Sequence, residues 1–282
     1  MRKLKELTKE EELEILKKRN SGEMRKDIIK EYGISDRHYQ NVITKNGGEL
    51  NKRVCKYEFN EDYFEKIDTE DKAYFLGFIV ADGCIRDTET AKYMKLKLKF
   101  DDYVILEKMI ESTNYLGGVY YHKNKKYCEL TLSGSKIIND LNKLGVVQNK
   151  TMFVKYPKIS EELERHFMRG LFDGDGCISI HKKREGSRDT TDRGQVNICS
   201  GSRDFIEKYV ERLNEISGIT KNKIRCPKGT YNVIDWGSFG DIEKFYDLFY
   251  KDASVYLERK KKTFELAVTI SNSKTKYRKN NN

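Results

Sequence analysis

The sequence has no run approaching the roughly 20 consecutive apolar residues of a membrane-spanning helix. Its opening stretch, Met1 to Glu12, is charged throughout and lacks the apolar core of a secretory signal. Both absences predict a soluble, intracellular protein with no membrane partner. No Cys-x-x-Cys spacing joins Cys55, Cys84, Cys128, Cys177, Cys199 and Cys226, which disfavours a zinc site or a disulfide framework and predicts small buried apolar side chains instead. Proline is scarce too, with 2 in 282 residues, while 37% of residues are hydrophobic and 11% aromatic, enough for two compact units with cores of their own.

What the chain has in excess is positive charge. A net charge of +10 points to a polyanionic partner, usually nucleic acid. Residues 259–282 hold 8 Lys and Arg against the single acid Glu265, so +7 of that charge sits in a terminal basic segment.

Near the N-terminus, Thr8 followed three residues later by Glu11 reads as a capping box that opens an amphipathic helix to about Asn20. A second helix is predicted from about Glu23 to Glu31. The turn Tyr32, Gly33, Ile34, Ser35 then leads to a third, Asp36 to Lys45, with Tyr39, Val42 and Ile43 on its inner face. Helix, glycine-containing turn, helix is the pattern of a helix-turn-helix, whose second helix enters the major groove. Arg37, His38, Gln40, Asn41 and Lys45 face outward here, and all are able to bond phosphates or base edges. A plain three-helix bundle is the alternative. Asn46, Gly47 and Gly48 begin a linker that extends to about Tyr57.

The remainder repeats itself. Gly77, Phe78, Ala81, Asp82, Gly83, Cys84 and Ile85 return as Gly170, Leu171, Gly174, Asp175, Gly176, Cys177 and Ile178, at a constant offset of 93 residues. After each copy the pattern predicts paired strands, a helix, two more short strands and a last helix. The second pair of strands falls at Val119–Lys123 with Tyr127–Leu132, and again at Lys223–Cys226 with Tyr231–Trp236.

Gly77 and Ala81, like Gly170 and Gly174, lie four apart and share one helix face, where missing side chains would let two helix backbones approach closely. If each motif helix packs on the other about a pseudo-twofold axis, Asp82 and Asp175 arrive at the same place. Paired carboxylates at two helix C-termini repel each other and oppose the helix dipoles, and a bound cation removes both objections. Hard oxygen ligands suit Mg²⁺, or Mn²⁺ in its place. Gly83 and Gly176, next in sequence, fit helix-ending positions.

Phe75 to Gly83 (FLGFIVADG) and Met168 to Gly176 (MRGLFDGDG) resemble the paired signature of the LAGLIDADG homing endonucleases, in the single-chain form with two motifs. The likeness covers about residues 57 to 265. It implies an α/β (α+β) fold of two pseudo-symmetric αββαββα repeats that form a DNA-binding saddle, joined here to a small all-α helix-turn-helix domain. It also implies divalent metal ions at Asp82 and Asp175, and a lysine near them after the last helix of each half, similar in position to Lys150 and Lys260. Lys261 and Lys262 adjoin the latter. The sequence departs from the signature at Val80, where the motif has an earlier Asp that the second copy keeps as Asp173, and at Leu76 and Arg169, which replace a small residue.

On the strands, Lys95, Lys97 and Lys99 alternate with apolar residues and put three ammonium groups on one sheet face. In the second half that face carries Gln195 and Asn197, with Ser179 and His181. Gln and Asn are suited to adenine edges in the major groove. The loop Lys182 to Arg193 is expected to contact DNA.

The expectation is therefore a helix-turn-helix domain at 1–50, repeats at 51–150 and 151–270, and a basic tail at 271–282. The function expected is metal-dependent cleavage of both strands at a long, asymmetric double-stranded DNA site by a monomer. An intron RNA maturase or a DNA-binding regulator on the same fold is the alternative, favoured if one motif acid were missing. Both acids are present.

Overall fold

In the computed structural model, residues 7–21, 23, 25–47, 57–124, 126–182 and 192–280 are described. Two compact units divide the chain, Met1–Val54 and Cys55–Asn282.

The first unit holds helices α1 (Lys9–Asn20), α2 (Arg25–Tyr32) and α3 (Asp36–Lys45). Thr8 and Glu11 form the reciprocal capping box that starts α1. Gly33, at φ +62°, makes the left-handed turn after α2, and the Ser35 hydroxyl accepts from His38 N to start α3. Ile15, Ile28, Tyr32, Ile34, Tyr39, Val42 and Ile43 make a core separate from that of the second unit. Most of the expected linker, residues 48–56, lies outside the described residues.

The second unit begins with α4 (Glu70–Asp82), β1 (Gly83–Thr88), β2 (Ala91–Lys99), α5 (Tyr103–Thr113), β3 (Tyr120–Tyr121), β4 (Tyr127–Ser133) and α6 (Ser135–Lys143). The order then recurs as α7 (Glu161–Asp175), β5 (Gly176–His181), β6 (Arg193–Ser200), α8 (Arg203–Ser217), β7 (Asn232–Trp236) and α9 (Phe239–Phe249), with α10 (Glu258–Asn280) following. One sheet has the strand order β1-β2-β4-β3 and the other β5-β6-β7. All pairings are antiparallel. In both sheets the inward residues are apolar, Met94, Leu96 and Leu98 in one and Val196 and Ile198 in the other, and they pack into one core with the helices.

Three elements differ from expectation. The strand expected at Val119–Lys123 is reduced to Tyr120–Tyr121. The one expected at Lys223–Cys226 leaves a single bridge, Arg225 to Val233, because Pro227 opens a 3₁₀ turn and has no N–H to continue the ladder. Residues 271–280, expected as a tail, continue α10. From Glu258 to Asn280 no Gly or Pro interrupts the helix, and buried Phe264 and Ala267 anchor it.

Candidate active site

Helices α4 and α7 lie backbone against backbone. A Cβ on Gly77 would overlap the carbonyl oxygen of Phe167, and one on Gly170 would overlap that of Tyr74. These two positions accept only glycine at this separation. One turn further on, a Cβ on Gly174 would meet the Ala81 side chain and stand 3.3 Å from Asp82 Oδ2. The first-half carboxylate therefore lies against the last turn of α7, which ends at Asp175.

The electrostatics record the same closeness. Both carboxyl groups reach solvent, yet enough protein surrounds them that burial is the largest influence on each. Burial and the neighbouring Asp82 charge push Asp175 up to about 6, against the pull of Lys150 and Lys260. Burial raises Asp82 as well, and the same two lysines oppose it.

Gly83 and Gly176 follow these acids for a reason other than a left-handed helix end. Both are extended, at φ −73°, ψ 134° and φ −82°, ψ 162°. A Cβ on either would collide with the preceding helical turn, at Ile79 or Phe172. Here the chain passes from helix to strand with no intervening residue, and only a missing side chain leaves room.

A buried ammonium sits beneath each of these junctions. Lys150, 9% exposed, donates to Gly83 O at 2.5 Å. Lys260, 4% exposed, donates to Phe172 O, Asp173 O and Gly176 O at 2.5, 2.7 and 2.6 Å. Burial lowers both, Lys260 to about 8, while neighbouring carboxylates pull them upward. The adjoining lysines point elsewhere, Lys261 over the Tyr256 ring and Lys262 to Glu258.

Two motif residues that depart from the signature, or are kept in only one copy, hold the helices together. Buried Asp173 accepts from Tyr74 Oη at 2.8 Å, Tyr250 Oη at 2.6 Å and Leu257 N at 2.8 Å. Arg169, also buried, donates to Glu70, Val255 O and Phe249 O. Each joins the first motif helix to the end of the second half. Sequence reasoning noted both positions but found no role for them, because their partners lie 77 to 99 residues away.

The open faces of the sheets carry the other expected residues. Lys95 pairs with Glu129 at 3.3 Å, Lys97 lies over the Tyr127 ring, and exposed Lys99 ends the strand. In the second sheet Asn197 stands opposite Cys177 and Asp235, Gln195 donates to Asp235 Oδ1 at 3.3 Å, and His181 meets Ser179 Oγ at 3.2 Å. Most of the loop expected to touch DNA, residues 183–191, lies outside the described residues. In the first unit Arg37 and Asn41 are exposed on α3, and Gln40 is half-buried. Cys84, Cys128, Cys177, Cys199 and Cys226 are free. Contrary to expectation, only Cys128 among them is buried, since Cys84 and Cys177 fall on the outward phase of β1 and β5.

Residues 162–278 match the family model of the LAGLIDADG-like domain. Among solved structures the chain resembles the meganuclease I-AabMI bound to uncleaved DNA, at 14% identity over 74% of this chain and 93% of that one, with a TM-score of 0.54. It also resembles the homing endonuclease I-GzeII in complex with its DNA target, at 14% identity over 72% and 91%, TM-score 0.52. A third is I-SmaMI bound to cleaved DNA, at 14% identity over 74% and 92%, TM-score 0.52. No curated protein matches the chain. The second half thus carries a LAGLIDADG-like domain, and the chain has the fold of the LAGLIDADG homing endonucleases.

Proposed function

We propose that the chain is a site-specific endonuclease that hydrolyses phosphodiester bonds in both strands of double-stranded DNA, using divalent metal ions held at Asp82 and Asp175. The observation that carries this reading is the meeting of the two acids at the ends of α4 and α7, with a buried lysine beside each. A protein that only bound DNA would gain nothing from two carboxylates that raise each other's free energy.

The residues suit Mg²⁺ or Mn²⁺. Among the described residues no cluster of three or more His, Cys, Asp or Glu side chains is placed to hold an ion. Asp82 and Asp175 would supply two carboxylates, with water and substrate phosphate completing the set Mg²⁺ usually takes. Bound there, such ions supply an activated water and a Lewis acid for the leaving oxygen. Lys150 and Lys260 would hold positive charge beside the reacting phosphates, although burial lowers Lys260 to about 8.

Around this centre, Lys95, Lys97 and Lys99 would bind phosphates, and Gln195, Asn197 and His181 would face base edges. The two faces differ in chemistry, which suits a long asymmetric site read by a monomer. The unit with α3 would add a helix-turn-helix contact through Arg37, Gln40 and Asn41, making 1–50, 51–150 and 151–270 the functional divisions. No helix among the described residues is long and apolar enough to cross a membrane.

Asp82→Asn and Asp175→Asn test the proposal, since each removes a carboxylate charge at nearly constant size. With Mg²⁺ and a plasmid carrying the target, each is expected to lose double-strand cleavage while still retarding the DNA on a gel. Cleavage at the wild-type rate by either variant would sink the assignment.

A further inference from the structure

The segment from Ser254 to Lys260 belongs by sequence to the second half, yet its bonds run to both. Ser254 N donates to Glu70 at 3.0 Å, and Ser254 O accepts from Lys108 at 3.0 Å, both in the first half. Val255 O and Leu257 N bond Arg169 and Asp173 of α7. At the end of the segment, Arg259 grips Asp102 with a two-pronged contact, Nε to Oδ1 and Oδ2 at 3.0 and 3.2 Å and Nη2 to Oδ2 at 3.1 Å.

Asp102 is 9% exposed and lies in the turn between β2 and α5, three residues after Lys99. Its carboxylate caps no helix, and Arg259 is its one side-chain partner among the described residues. Arg259 is thus anchored to the first half. The next residue, Lys260, spends its three donors on carbonyls of the second half. Two adjacent residues in the first turn of α10 are therefore tied to opposite halves. That turn cannot slide or rotate without breaking one set of bonds, and a planar guanidinium fork resists such motion better than a point charge. Lys150 makes one bond, to Gly83 O, and no ion pair ties the connection at 144–158 to the second half among the described residues.

We propose that Asp102 and Arg259 are a positioning pair, which sets Lys260 against the paired carboxylates for one of the two strand cuts and couples that cut to the first-half sheet. The inference rests on the nuclease reading above. Loosening the pair disturbs the site beside Lys260 and leaves the one beside Lys150 in place. The two strands then cease to be cut together.

The test uses the full-length protein and a supercoiled plasmid carrying the joined sequences that flank its gene, with Asp102→Asn, Arg259→Gln and Arg259→Lys. The first strand is expected to be cut near the wild-type rate and the second roughly ten- to a hundredfold more slowly, so that nicked circles accumulate, always in the same strand. Target affinity measured in Ca²⁺ stays unchanged. Arg259→Lys, which keeps the charge without the fork, gives intermediate nicking and decides the matter if either other variant is unfolded at the assay temperature. Equal slowing of both strands, or linear product at the wild-type ratio, overturns the positioning role and leaves the nuclease reading intact. Failure of the wild-type protein to cut the plasmid overturns both.

Discussion

At the scale of single residues, the site depends on atoms that are missing. Gly77 and Gly170 place each helix backbone against a carbonyl of the other, and the obstacle to any side chain there is main chain, which has no rotamer to yield. Gly170→Ala is expected to destabilise the fold by about 3 kcal/mol or more, the upper end of what overpacking costs, and to abolish cleavage by spreading the acids. Gly237→Ala is the control, because nothing stands within 4 Å of a Cβ there. Denaturant melts of both variants measure the difference, and equal stabilities would mean that the helices relax freely. Which lysine of the run Lys260, Lys261, Lys262 lies buried at the site was illegible, since the choice depends on carbonyls 84 to 88 residues away. Asp82 and Asp175 were legible because repetition at a fixed offset marks symmetric placement.

At the scale of elements, the open sheet faces are the proposed binding surfaces. Replacing Lys95, Lys97 and Lys99 by Gln is expected to flatten the log-log dependence of DNA affinity on salt by about two to three, roughly one per lost phosphate contact. Lys95 contributes least of the three, because Glu129 already neutralises part of its charge. A slope unchanged in titrations from low to moderate salt would place this face away from DNA. Elements governed by local signals were legible, namely the capping box of α1, the glycine-containing turn before α3 and the alternation along β2 and β6. Those governed by partners were not. The segment Lys223–Cys226 alternates well enough for a strand, but Pro227 and the lack of a second neighbour leave it one bridge. Conversely, residues 271–282 read as a basic tail, whereas residues 271–280 continue α10, whose earlier turns Phe264 and Ala267 hold in the core.

At the scale of the whole molecule, each of the two units has an apolar core of its own. A protein beginning at Tyr57 is therefore expected to fold and, with Mg²⁺, to cut. It should bind more weakly than the full chain and protect a shorter stretch of DNA, because one major-groove contact is gone. Footprints of both proteins on one target give the comparison. Identical footprints and affinities would reduce residues 1–50 to a structural cap, and an insoluble product would show that the second unit needs the first.

The contact of Gly77 with Phe167 and of Gly170 with Tyr74 also bears on how such a protein acquires new targets. The gap between the acids is gauged by main chain against main chain, in the interior, while the outward residues of β1, β2, β5 and β6 belong to a different layer. On the proposed function, substitutions on those faces would alter which bases are favoured without resetting the gauge. Change in the proposed reading surface and constancy in the proposed cutting centre would thereby be separable, and drift toward a new site would not have to pass through inactive intermediates.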